Sequence, residues 1–187
     1  MSPVLGIIAS QNYVRIPPTA FESIATVSLT SNASSVDFTS IPSTYKHLQL
    51  RIFAKTDRAG DNNGYGSFRV NSDSGSNYSW HQLYGDATAP GAGAAANQTL
   101  IPLNAFGGSS NSAYGVSIID FLDYADTNKF KTTRLLNGFD YNGGGEISLF
   151  SGNWRSTSAI TSINIVRGFA VNNWVAGSVF ALYGIKG

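Results

Sequence analysis

Two histidines, His47 and His81, and eleven acidic residues are the groups with which proton transfer or metal binding could begin in this chain. Cysteine is absent, so thiol catalysis, Cys-based zinc sites and disulfides are excluded. The two histidines form no HxH or HExxH spacing. His47 falls on the polar side of a strand-like run and His81 follows Trp80. Both read as ordinary surface or interface side chains, and no metal and no cofactor is expected. Asp61-Asn62-Asn63-Gly64 and Asp140-Tyr141-Asn142-Gly143, the latter running on to Glu146, superficially suggest calcium loops. Neither has the alternating acidic ligands or the glutamate at the twelfth position that such a loop needs. Asp and Asn before Gly are what hairpin turns require.

Carboxylate chemistry fares no better. Asp120, Asp123 and Asp126 could supply the acid pair of glycoside hydrolysis. In a strand, however, Asp120 and Asp123 point to opposite faces, and Asp126 opens a turn. No GxSxG elbow and no phosphate-binding Gly-rich loop occurs. With no catalytic residues to assign, the chain is expected not to be an enzyme. Trp80, Tyr84, Trp154 and Trp174 fall near strand ends or loops, where rings could stack on sugars. Packing inside the domain or at an interface is the favoured reading, because aromatics are enriched in both.

The elements that carry these residues read as strands. In "YKHLQLRIFA", Leu48, Leu50, Ile52 and Ala54 share one side and His47, Gln49 and Arg51 the other. "FESIATVSL" places Phe21, Ala25, Val27 and Leu29 together, and "YGSFRVN" repeats the alternation. The later segments are more apolar on both sides; "AYGVSIIDFLDYA" reads as a central strand, with a short helix as the alternative, and "KFKTTRLLNGFDY" and "EISLFSGNW" follow it. "ITSINIVRGF" and "VAGSVFALYGI" complete a set of nine or ten. Turn clusters lie between them, "NAFGGSSNSA" among them, and "GDATAPGAGAAANQ" is the longest stretch expected to be loop. Gly, Ser and Asn supply about a third of the chain. The expectation is an all-β, two-sheet antiparallel sandwich, jelly-roll-like, over residues 21–187.

The 187 residues suffice for one domain. Only 12% are charged, the net charge is +1, and no charge run exists. A nucleic-acid partner is therefore not expected, and so sparse a charge suits a protein packed against others. Residues 1–20 read as an extended arm. Val4, Leu5, Ile7 and Ile8 concentrate apolar surface, and Pro17-Pro18 separates them from the first strand. The run fits a secretory signal poorly and is too short to span a membrane, so no membrane partner is expected. The stretch is expected to dock, either on this domain's own sheet or on a neighbouring molecule.

The stretches "SIATVSL", "FTSIPSTYKHLQLR", "GSNYSWHQLYGD", "FLDYADTNKFKTTR", "SGNWRSTSAITSINI" and "ALYGIKG" resemble a group of tailed-phage virion structural proteins, as does the initial "LGIIASQ". The resemblance runs from about Phe21 to Gly187. It implies a β-rich virion component of the capsid decoration (cement) type, made in the host cytoplasm and bound to the capsid surface. It further implies a homotrimer with the major capsid protein as partner, and no catalytic residues. The competing expectation is a tail-associated receptor- or glycan-binding module.

Overall fold

The computed structural model describes residues 20–168 and 172–187. Alternation, present in most of the runs above, becomes a sandwich because each alternating strand has one side to bury. In β3 (His47–Ala54) the side chains of Leu48, Leu50, Ile52 and Ala54 are buried, while Gln49, Arg51 and Phe53 face away. The flanking strands β1 (Phe21–Ser28), β12 (Val179–Ile185) and β8 (Gly115–Leu122) complete one row, in the order β1-β12-β3-β8. Opposite lie β2 (Ser35–Phe38), β11 (Ile163–Arg167), β4 (Asn63–Val70) and β7 (Ile101–Gly107). All neighbours pair antiparallel. Taken in chain order, these eight strands cross from one row to the other at every step except β4 to β7, which is the strand order of a jelly roll.

The other four strands are two hairpins: β5 (Tyr78–Asp86) with β6 (Pro90–Gln98), and β9 (Lys131–Asp140) with β10 (Gly145–Trp154). They extend the first row past β8, in the order β9-β10-β5-β6. The result is an eight-stranded sheet against a four-stranded one.

One continuous core lies between the sheets. Trp174 is fully buried there, edge-on to Phe106 and Phe180 at 5.1 and 5.4 Å. Phe68 of β4 meets Phe121 of β8 at 5.4 Å, tying the layers together. Two large buried side chains have their polar ends satisfied, as burial favours. The Tyr78 hydroxyl donates to the carbonyls of Val70 and Asp73 and accepts from the Val70 N–H. Burial pushes its ionisation up to about 12. The Lys131 ammonium, on a buried stem, donates to three carbonyls, those of Asp126, Lys129 and Thr157.

Three expectations are corrected. "GDATAPGAGAAANQ" is not a loop: most of it is the nine-residue edge strand β6. "NAFGG" does not lie in a turn, since its first four residues end β7. In β1 a bulge at Ile24 breaks the simple alternation. Ile24, Ala25 and Val27 pack on the core, while Phe21 turns outward and lies under the Arg51 guanidinium, 5.4 Å from its ring centre. The extra residue of a bulge reverses the facing of what precedes it.

Candidate assembly surface

The outer side of the eight-stranded sheet carries large apolar side chains where solvent would ordinarily call for polar ones. Residues opposite one another across a ladder share a face, so the register assigns them to rows. One row runs Arg51, Ile118, Leu136, Leu149, Leu83, Ala92 across six strands. Ile118, Leu136, Leu149 and Leu83 are all exposed, Leu83 to 63%. The next row runs Phe53, Val116, Gly138, Ile147, Gly85, Pro90. Phe53, Val116 and Ile147 are exposed in it.

On the other side of the leucine row lie Gln49, Asp120, Arg134, Ser151, His81 and Ala94. Arg134 pairs with Asp120 at 2.8 Å, Gln49 donates to Asp120 at 2.9 Å, and Arg51 donates to Gln49 at 2.8 Å. The charges on this row thus compensate one another within the chain. A shallow open trough of about 700 Å³ lies on the β5–β6 end of the face, with Leu83, Leu149, Ala92 and Ala94 in its lining. This geometry removes apolar surface from water when something lies on it. It brings no acid–base pair together.

The acidic residues considered for chemistry are taken up by ion pairs and turns. Lys46 and Lys129 contact the Asp123 carboxylate at 2.8 and 2.5 Å and hold it well below the usual carboxylate range. His47 accepts the Asp123 N–H through Nδ1 at 3.0 Å. His81 lies exposed on the outer face. Asp61 and Asp140 each accept the N–H two residues on, both at 2.9 Å, which makes them turn residues. Among the described residues no group of three His, Asp or Glu comes together to hold a metal ion.

The four aromatics part company. Trp154 is 4% exposed and Trp174 fully buried, so neither offers a ring to a sugar. The Trp154 indole N–H donates to Asp73 at 2.6 Å. Trp80 and Tyr84 share the inner side of β5, with Trp80 edge-on to Phe150 at 5.8 Å. Tyr84 rests over Gly91 of β6, where a Cβ would lie 2.3 Å from its ring. Val4, Leu5, Ile7 and Ile8 lie outside the described residues.

The exposed leucine row was not picked out from the sequence. Its signal was present in β8, β9 and β10, which are apolar on both sides. That pattern belongs to strands covered on both faces, and this chain covers only one of them. No family model matches the chain, and no curated protein or solved structure matches it significantly.

Proposed function

We propose that this chain is a non-enzymatic structural component of a tailed-phage virion, binding the assembled capsid as a decoration (cement) protein. The observation that carries the reading is the apolar outer face of the eight-stranded sheet. A face of this size is covered in an assembly and is a liability in a freely diffusing protein. The sequence resemblance to virion proteins and the sparse surface charge support the same reading. Val4, Leu5, Ile7 and Ile8 anchor the arm on the major capsid protein, where main-chain hydrogen bonds and aliphatic pockets hold an extended segment.

The test is co-sedimentation with purified particles that lack the protein. Near-stoichiometric binding to heads is expected, and replacement of both Leu5 and Ile8 by Asp abolishes it by putting charge into a dry contact. Binding confined to tails or to host glycan would replace this reading with the receptor-binding one.

A further inference from the structure

We infer that the outer face of the eight-stranded sheet is where a second copy of this chain docks, sheet against sheet, about a two-fold axis. The axis lies between β9 and β10 and runs close to the strand direction. This rests on the reading of the face as an assembly surface, and not on the capsid.

The area is adequate. Six strands at about 4.8 Å spacing and three rows about 7 Å apart cover roughly 600 Å² before side-chain relief is added. A standard stable interface covers roughly 800 Å² per partner. Aligned packing of twisted sheets crosses the strands by about 30°, which a two-fold tilted about 15° from the strands produces.

The register then fixes what meets what. A two-fold between β9 and β10 exchanges β9 with β10 and β8 with β5. In the leucine row, Leu136 meets Leu149 of the second copy and Ile118 meets Leu83. In the polar row, Arg134 meets Ser151 and Asp120 meets His81, each a donor facing an acceptor. In the third row, the exposed Ile147 meets Gly138, and Val116 meets Gly85.

Those two glycines are the independent observation. Neither adopts positive φ. A Cβ at Gly85 would meet nothing within 4 Å, and one at Gly138 only the Glu146 carbonyl at 3.7 Å. Glycine weakens a strand interior, and nothing within the chain requires it at either position. Both sit where the two-fold delivers a branched side chain, so each is a hollow for a knob. A two-fold perpendicular to the strands fails the same comparison. It would set Asp120 against Val116 and Arg134 against Gly138, two charges against apolar partners near the centre, whereas the favoured axis sets only Arg51, at the end of its row, against Ala92. A self-complementary face closes at two copies, so the assembly on this face is a pair and not the trimer that the resemblance implies.

Sedimentation velocity on the purified full chain tests the inference. Wild type is expected to be dimeric at micromolar concentration. Leu136→Asp is expected to be monomeric with an unchanged circular dichroism spectrum, since Leu136 is half exposed. Gly138→Phe fills a hollow open in the single chain, so it is expected to be monomeric with an unchanged circular dichroism spectrum. Phe130→Asp alters an exposed apolar residue outside the rows and should remain dimeric. A monomeric wild type, a trimer, or a dimer that survives both Leu136→Asp and Gly138→Phe overturns the inference. So does a monomer that becomes dimeric when residues 2–16 are removed, because the arm would then be the occupant. Capsid binding by a monomer defeats the pair and leaves the decoration reading standing. A pair that binds no capsid does the reverse.

Discussion

Glu146 lies on the inner side of β10, with one carboxylate oxygen buried and without a hydrogen-bond partner. Burial raises its ionisation above the usual carboxylate range, and the Asp86 charge adds to the effect. An acid raised by folding penalises the folded state above its folded pKa. The penalty fades as pH falls and is gone below the unfolded value of about 4.3. Glu146→Gln is therefore expected to raise the melting temperature at pH 7 by a few degrees, with the advantage vanishing near pH 4. A lower melting temperature at pH 7 would contradict the assignment. Asp73 has the opposite sign. The Trp154 indole, the Asn77 side chain and the Gly75 N–H hold its carboxyl low. Its contribution is present above about pH 3.9 and lost as pH falls through the depressed value. Trp154→Phe removes the indole donor and should cost about 1–2 kcal/mol in urea unfolding at neutral pH. The loss should shrink in acid, and a cost independent of pH would assign it to packing instead.

At the level of elements, close approach decides which strands tolerate change. A Cβ at Gly66 of β4 would lie 2.4 Å from the ring of Trp174, which Phe106 and Phe180 wedge in place. Gly66→Ala should cost about 1–3 kcal/mol, the usual range for overpacking a core. Gly91→Ala creates an equally short contact, but with the outer end of Tyr84, which is 37% exposed and free to swing away. It should cost less, and denaturant midpoints in the reverse order would show that Tyr84 is the more tightly held ring. The same pair explains why β6 escaped notice in the sequence. Gly and Ala are poor strand formers by propensity. Gly91 and Gly93 are small because the rings of Tyr84 and Trp80 lie against them, and that contact is invisible until β5 and β6 are paired.

For the whole molecule, the two jelly-roll rows and both inserted hairpins draw on residues from Phe21 onward. Removing residues 2–16 is therefore expected to preserve the β-rich circular dichroism spectrum and the melting temperature while abolishing co-sedimentation with particles. A truncated protein that binds particles as well as wild type would take the anchor away from Val4, Leu5, Ile7 and Ile8. One that fails to fold would place the arm within the fold.

What the sequence determined by itself is local: the all-β class, the strands that alternate, and the turns at Asp61 and Asp140. Side-chain period and turn chemistry are set by a few neighbouring residues, so they can be read along the chain. Membership of a sheet is set by pairing between residues far apart, and only the tertiary structure decided it. That pairing carried β9, β10, β5 and β6 past β8 and put Trp154 and Trp174 into the interior. It also left Ile118, Leu136, Leu149 and Leu83 in one uncovered row. An apolar residue in a strand looks the same in sequence whether its face is covered by a second sheet, by another molecule or by water. Only the layering of the two sheets shows that this row lies on the outer face of the eight-stranded sheet, which no other described strand covers.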